Sequence, residues 1–186
     1  MPPRNIKPVA LAVDGLLVRR EALAVYVNGF NAYPEGFTFM VTSLRDQPYP
    51  RDVRAPGFQH ANPFGRHGNG MRRALPEDRE SVLRIGVRFA DGASTVAESH
   101  GGRLGVDRPL APPTISSHSG SGSESEWKEN FWVWGIPEAG DIELTYSWSA
   151  EAVPDSHLVI DGDALREASA RAVTLWPEPG DEDLTG

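Results

Sequence analysis

The feature that most narrows the fold is a rhythm of two. In "SVLRIGVRFADG" (81–92), Leu83, Ile85, Val87 and Phe89 alternate with Arg84, Gly86 and Arg88. "IELTYSWSA" (142–150) repeats the pattern, with Ile142, Leu144, Tyr146 and Trp148 on one face and Glu143, Thr145, Ser147 and Ser149 on the other. Successive side chains of a strand point to opposite faces, whereas a helical face recurs every third or fourth residue. Both stretches therefore read as strands with one face in a core and the other in water. Turn chemistry agrees, because Asp91-Gly92 ends the first and lets "ASTVA" return beside it.

Other stretches are apolar on both faces and belong inside a sheet. In "ALAVYV" (22–27), Leu23, Val25 and Val27 share one face and Ala22, Ala24 and Tyr26 the other. "FTFMVTSL" (37–44) points Phe37, Phe39 and Val41 one way, and "AYPEGFTF" joins the two as a hairpin. In that turn Pro34 suits the first central position, and Gly36 supplies a left-handed residue where one is needed. "EWKENFWVWGIP" (126–137) is another strand, turned by Gly140-Asp141 into 142–150, and "SHLVI" (156–160) is the last. Pro2, Pro3 and Pro8 predict an extended start. "DGDALREASARAVTLW" (161–176) predicts a helix: Asp161 or Asp163 caps it, and Leu165, Ala168, Ala172 and Trp176 recur at helical spacing up to Pro177.

Roughly seven or eight short strands and one helix predict an all-β fold, a two-sheet antiparallel β-sandwich of immunoglobulin-like or jelly-roll-like kind with one C-terminal α-helix at about 162–176. Residues 1–176 read as a single domain and 177–186 as an acidic, mobile tail. A chain of 186 residues buries roughly 70% of its unfolded surface, so it needs no disulfide or metal staple, and with Cys 0 it has no thiol to make one. "HSGSGSESE" (118–126) is low-complexity and reads as a flexible connection. "AYPEGFTF", "FWVWGIP" and "DGDALREASARAVTLWP" together resemble a group of all-β proteins of Streptomyces and related actinobacteria to which no activity is assigned. The resemblance implies the same all-β fold and carries over no functional residue.

Several function classes fit poorly. A net charge of -8 opposes general nucleic-acid binding, which needs a positive face for phosphates. No apolar run reaches the roughly 20 residues of a membrane-spanning helix. "MPPRNIKPVALAVDGLLVRR" lacks a cleavage site and is broken by Asp14, so it reads as a mature cytoplasmic start. His60, His67, His100, His118 and His157 are dispersed, with no metal-ligand spacing, so neither a metal nor another cofactor is expected. No nucleophile elbow, phosphate loop or calcium loop occurs, and the "DGD" at 161–163 reads as helix capping.

The candidate site is the long connection 45–80. A structureless connection of this length inside a domain is commonly functional or disordered. Between 45 and 75 it carries Arg45, Arg51, Arg54, Arg66, Arg72 and Arg73 against Asp46 and Asp52, interleaved with Tyr49, Phe58 and Phe64. On an acidic protein this reversal suits an acidic protein partner or an anionic ligand, met by arginine hydrogen bonds and aromatic contacts. The expected interaction residues are Arg51, Arg54, Phe58, His60, Phe64, Arg66, His67, Arg72 and Arg73. The chain then reads as a noncatalytic interaction or structural module, monomeric or weakly self-associating. The alternative is a small-ligand binder or enzyme with its site between the sheets or beneath the 45–80 loop. Trp132, Trp134 and Trp148 pose a second question, core or stacking platform; the apolar neighbours on their faces favour core.

Overall fold

The computed structural model describes residues 1–46, 82–97, 111–123 and 125–176, and the two-residue rhythm runs through them. The first strands are β1 (Ile6–Lys7), β2 (Val9–Leu11), β3 (Gly15–Arg19), β4 (Leu23–Tyr33) and β5 (Gly36–Arg45). They are followed by β6 (Arg84–Phe89), β7 (Ser94–Val96), β8 (Thr114–Gly122) and β9 (Glu126–Trp134). The last are β10 (Ile142–Trp148), β11 (Val153–Ile160), the helix α1 (Gly162–Ala170) and β12 (Val173–Thr174). The larger sheet has the order β2-β4-β5-β9-β8, with β3 also paired to β4, and the smaller has the order β11-β10-β6-β7. Both are antiparallel, and β1 with β12 forms a separate two-stranded ribbon.

The inner faces of the two sheets meet in one core. From the larger sheet come Val25, Val27, Phe37, Phe39, Val41, Phe131 and Val133; from the smaller come Ile85, Val87, Phe89, Ile142, Leu144 and Trp148. Phenylalanines cross the larger sheet as a stack, with ring centroids 5.4 Å apart for Phe30–Phe39 and 5.2 Å for Phe39–Phe131. At the sides, β7 touches β8 and β11 touches β3, so the sandwich is nearly closed. The β3–β11 approach is close enough that a Cβ on Gly15 would lie 2.6 Å from a Leu158 methyl. The all-β sandwich is thus the fold, with one α-helix among the described residues and inward residues where alternation put them.

The β4–β5 hairpin forms as expected, with Tyr33 opposite Gly36 across Pro34-Glu35. Gly36 serves a different purpose from the one foreseen. It is a strand residue whose added Cβ would stand 2.1 Å from the Val133 carbonyl and 2.8 Å from the Trp132 ring. Asp91-Gly92 turns β6 into β7 with Gly92 at φ +90°, and the Asp91 carboxylate accepts from the Ala93 N–H at 2.8 Å.

Three expectations need correction. First, the chain does not make a hairpin of β9 and β10. Both edges of β9 are occupied, by β5 and β8, so the segment through Gly135 (φ +110°) and Gly140 (φ +73°) crosses to the other sheet. Second, the helix expected over 162–176 ends at Ala170. Asp161 caps it, accepting from the Ala164 N–H at 2.9 Å, but Val173 and Thr174 pair with Lys7 and Ile6 instead of extending it. β-branched residues with a strand partner available favour the ladder, and Trp176 is left 56% exposed. Third, the serine-glycine stretch from His118 to Gly122 is the second half of strand β8 and not a flexible connection. The proline-bearing start is extended, as expected, and contributes β1, β2 and β3 before Ala22. The acidic segment 177–186 lies outside the described residues.

Trp148 is 3% exposed and belongs to the shared core. Replacing it by Ala should destabilise the protein by about 3–5 kcal/mol in denaturant unfolding, the usual cost of deleting a buried large aromatic ring. A variant within about 1 kcal/mol of the wild type would contradict the packing described.

Candidate functional site

Arg51, Arg54, Phe58, His60, Phe64, Arg66, His67, Arg72 and Arg73 lie outside the described residues. The structure does show how the connection is held at both ends. Upstream, the Arg45 guanidinium donates to the Glu151 carboxylate and lies 5.8 Å from the Trp148 ring centroid. The Arg45 N–H donates to the Ser125 carbonyl at 2.7 Å, and the Asp46 N–H to the Ala22 carbonyl at 3.1 Å. Downstream, Val82 and Leu83 are buried immediately before β6. A charge-assisted bond and a cation over an indole each hold better in partial shelter from water. The connection therefore leaves the larger sheet and enters the smaller from fixed positions.

The three tryptophans of the second question divide. Trp148 is core, as expected. Trp132 is buried on the outer face of the larger sheet, edge-on to Tyr33 at 5.4 Å and 86°, so it is not an open platform. Trp134, on the same face, is half-buried. Burial raises the Tyr33 phenol above its ordinary value, opposed by a hydrogen bond with Thr38.

A polar group that sequence reasoning passed over lies at the β8 edge. Alternation in "WKENF" puts Trp127, Glu129 and Phe131 on one face, and that face is the interior. Glu129 is fully buried, accepting from the Ser117 hydroxyl and from the Trp127 indole N–H at 2.9 Å. The glycines of β8 make room for both side chains. A Cβ on Gly120 would lie 2.1 Å from Glu129 Oε2, and one on Gly122 would lie 2.6 Å from the Trp127 ring. His118 is the extra residue of the β8 bulge between Ser117 and Ser119. Partial burial is the main influence lowering its imidazole below the ordinary 6.5; the amino-terminal charge adds to this, and Glu129 opposes it. Because the unfolded chain takes the proton first, the His118 contribution to stability is complete above pH 6.5 and declines as pH falls toward the folded value.

The outer face of the smaller sheet carries a groove of about 380 Å³. Register explains it. Gly86 on β6 has Val96 beside it on β7, Thr145 on β10 and, one strand further, His157 on β11. The missing side chain at Gly86 leaves a low floor between the Val96 methyls and the Thr145 and His157 side chains. A Cβ there would meet the Thr145 hydroxyl at 2.6 Å. At one end Arg88 closes onto Glu143, its Nε donating at 2.7 Å. At the other, Arg84 on β6 and Asp155 on β11 both line the groove, and neither has an ion-pair partner among the described residues. No three histidine or carboxylate groups converge as a metal site among the described residues, and no helix there is long and apolar enough to cross a membrane.

No protein-family model matches the chain, and neither a curated protein nor a solved structure is detectably similar to it.

The Gly120–Glu129 contact can be tested by a double-mutant cycle in denaturant. Gly120→Ala alone should cost about 1–3 kcal/mol through overpacking. In a Glu129→Ala background the same change should cost at least about 1 kcal/mol less, because the obstructing carboxylate is gone. Additive effects would show that the two residues do not share this space.

Proposed function

We propose that the protein is a noncatalytic interaction module that presents the arginine- and aromatic-rich connection 45–80 to an acidic partner protein. The observation that supports this reading is the anchoring of both ends of that connection. Arg45 is fastened to Glu151 and Trp148 at the end of β5, while Val82 and Leu83 are buried at the entrance to β6. A rigid sandwich carrying a long connection between two sheets is the usual economy of recognition proteins: the scaffold supplies position and the loop supplies chemistry. Between 45 and 75 the arginines outnumber the acidic residues six to two on a chain that is -8 overall, so an acidic partner is attracted to this region while the remainder repels it. Arginine forks give directional contacts to carboxylates, and Tyr49, Phe58 and Phe64 supply the apolar contact area that charges alone lack. In this reading Arg45 is a positioning residue, not part of the recognition surface.

The test is capture from the native host with the intact protein, a version lacking 52–74, and the triple variant Arg66→Ser, Arg72→Ser, Arg73→Ser. Both altered proteins should lose the same acidic partner, and the triple variant should melt within a few degrees of the wild type, because in this reading the three arginines serve the partner and not the fold. Retained capture by the triple variant, or loss of its fold, would refute the reading.

A further inference from the structure

The geometry points to a second binding function, separate from the 45–80 connection: the groove over Gly86 takes a small zwitterion, a molecule of amino-acid size with one carboxylate and one ammonium. Two opposite charges face the same groove without closing on each other. Arg84 stands on β6 and Asp155 on β11, with β10 between them. Adjacent strands lie about 4.8 Å apart, so the two backbone positions are separated by about 10 Å, and the side chains reach inward from either side. Asp155 sits where β11 slips register between the partners of Tyr146 and Trp148, which places it beside Ser147, the residue opposite Arg84. The row thus runs cation, hydroxyl, carboxylate.

That order matches a ligand whose carboxylate meets the Arg84 fork and whose ammonium meets Asp155, with the Ser147 hydroxyl between them. A planar guanidinium binds a carboxylate through two parallel hydrogen bonds, and an aspartate is an ordinary partner for an ammonium. A ligand bearing either charge alone would leave one groove charge unmatched. The other ionic groups of the face do not compete. Arg88 is committed to Glu143, and His157 stands across Thr145 from Gly86, one row away. That second row receives the remainder of the ligand, with Gly86 as floor and Val96 as the apolar wall. The groove volume of about 380 Å³ lies within the range of small-molecule sites.

The experiment titrates the full chain with L-valine, N-acetyl-L-valine and L-valinamide while following the backbone amide resonances of Gly86, Thr145 and His157. Valine should bind saturably, and each blocked analogue, lacking one charge, should bind at least about tenfold more weakly. Arg84→Ser and Asp155→Asn should each weaken valine by a similar factor while leaving the melting temperature unchanged, since both side chains are exposed. Arg84→Ser should also abolish the difference between valine and valinamide, and Asp155→Asn that between valine and N-acetylvaline. Equal binding of N-acetylvaline and valine would reduce the groove to an anion site and overturn the zwitterion assignment. So would the absence of saturable shifts up to about 10 mM. Neither result touches capture through the 45–80 connection, so the two readings fail separately.

Discussion

The stacking of Phe30, Phe39 and Phe131 is the contact on which the rest of the larger sheet depends. The three rings belong to β4, β5 and β9, and Phe39 faces Phe131 directly across the ladder. A slip of one residue in either pairing would turn every side chain of the strand to the opposite face. Val41 and Phe37 would then leave the core, while Thr38 and Thr42 would enter it. The stack therefore ties register to burial. The hairpin at Pro34-Glu35 enforces the same alignment from its end, so local turn chemistry and long-range packing agree.

The opposite edge of that sheet solves a harder packing problem. Trp127 and Glu129 point inward and lean across the neighbouring strand β8, where side chains at the paired positions 120 and 122 would have no room. Gly120 and Gly122 supply the room, while Ser117 supplies a hydroxyl to the buried carboxylate. Burying a carboxylate without partners is costly; surrounding it with donors reduces that cost and makes the arrangement specific to one register. The bulge at His118 then shifts the edge strand by a residue, a common device by which an exposed edge is made unsuitable for pairing with another chain.

These particulars show why some of the fold was legible in the sequence. Leu83, Ile85, Val87 and Phe89 announced their strand because one face is wet and the other dry. β8 was hidden because its serines and glycines respond to side chains on another strand. Composition alone records their flexibility as free peptides, not the space that Trp127 and Glu129 require of them. The β9–β10 connection was misread for a related reason, since a turn signal fixes where a chain bends but not which sheet receives the next strand. Glu129 was within reach, because extending the alternation of Phe131 and Val133 back by two residues puts it inside. The groove was not, because it arises from Gly86, Val96, Thr145 and His157 on four strands whose adjacency depends on the whole sheet order.

Where recognition is placed follows from how the interior is filled. Phenylalanines, Trp148 and the aliphatic residues of both sheets occupy the space between the layers, so a ligand there would have to displace packing worth several kcal/mol per large side chain. On an outer face, by contrast, Arg84 and Asp155, which have no ion-pair partner among the described residues, are exposed and cost the fold little. Charges kept apart in water are available to a ligand that can satisfy both, whereas charges already joined, such as Arg88 and Glu143, must first be separated. Gly86 completes the contrast: the same absence of a side chain that permits close approach of Thr145 leaves low ground between Val96 and Thr145. The stability of the sandwich and the availability of its outer groove thus rest on different residues, so substitution of one set leaves the other measurable.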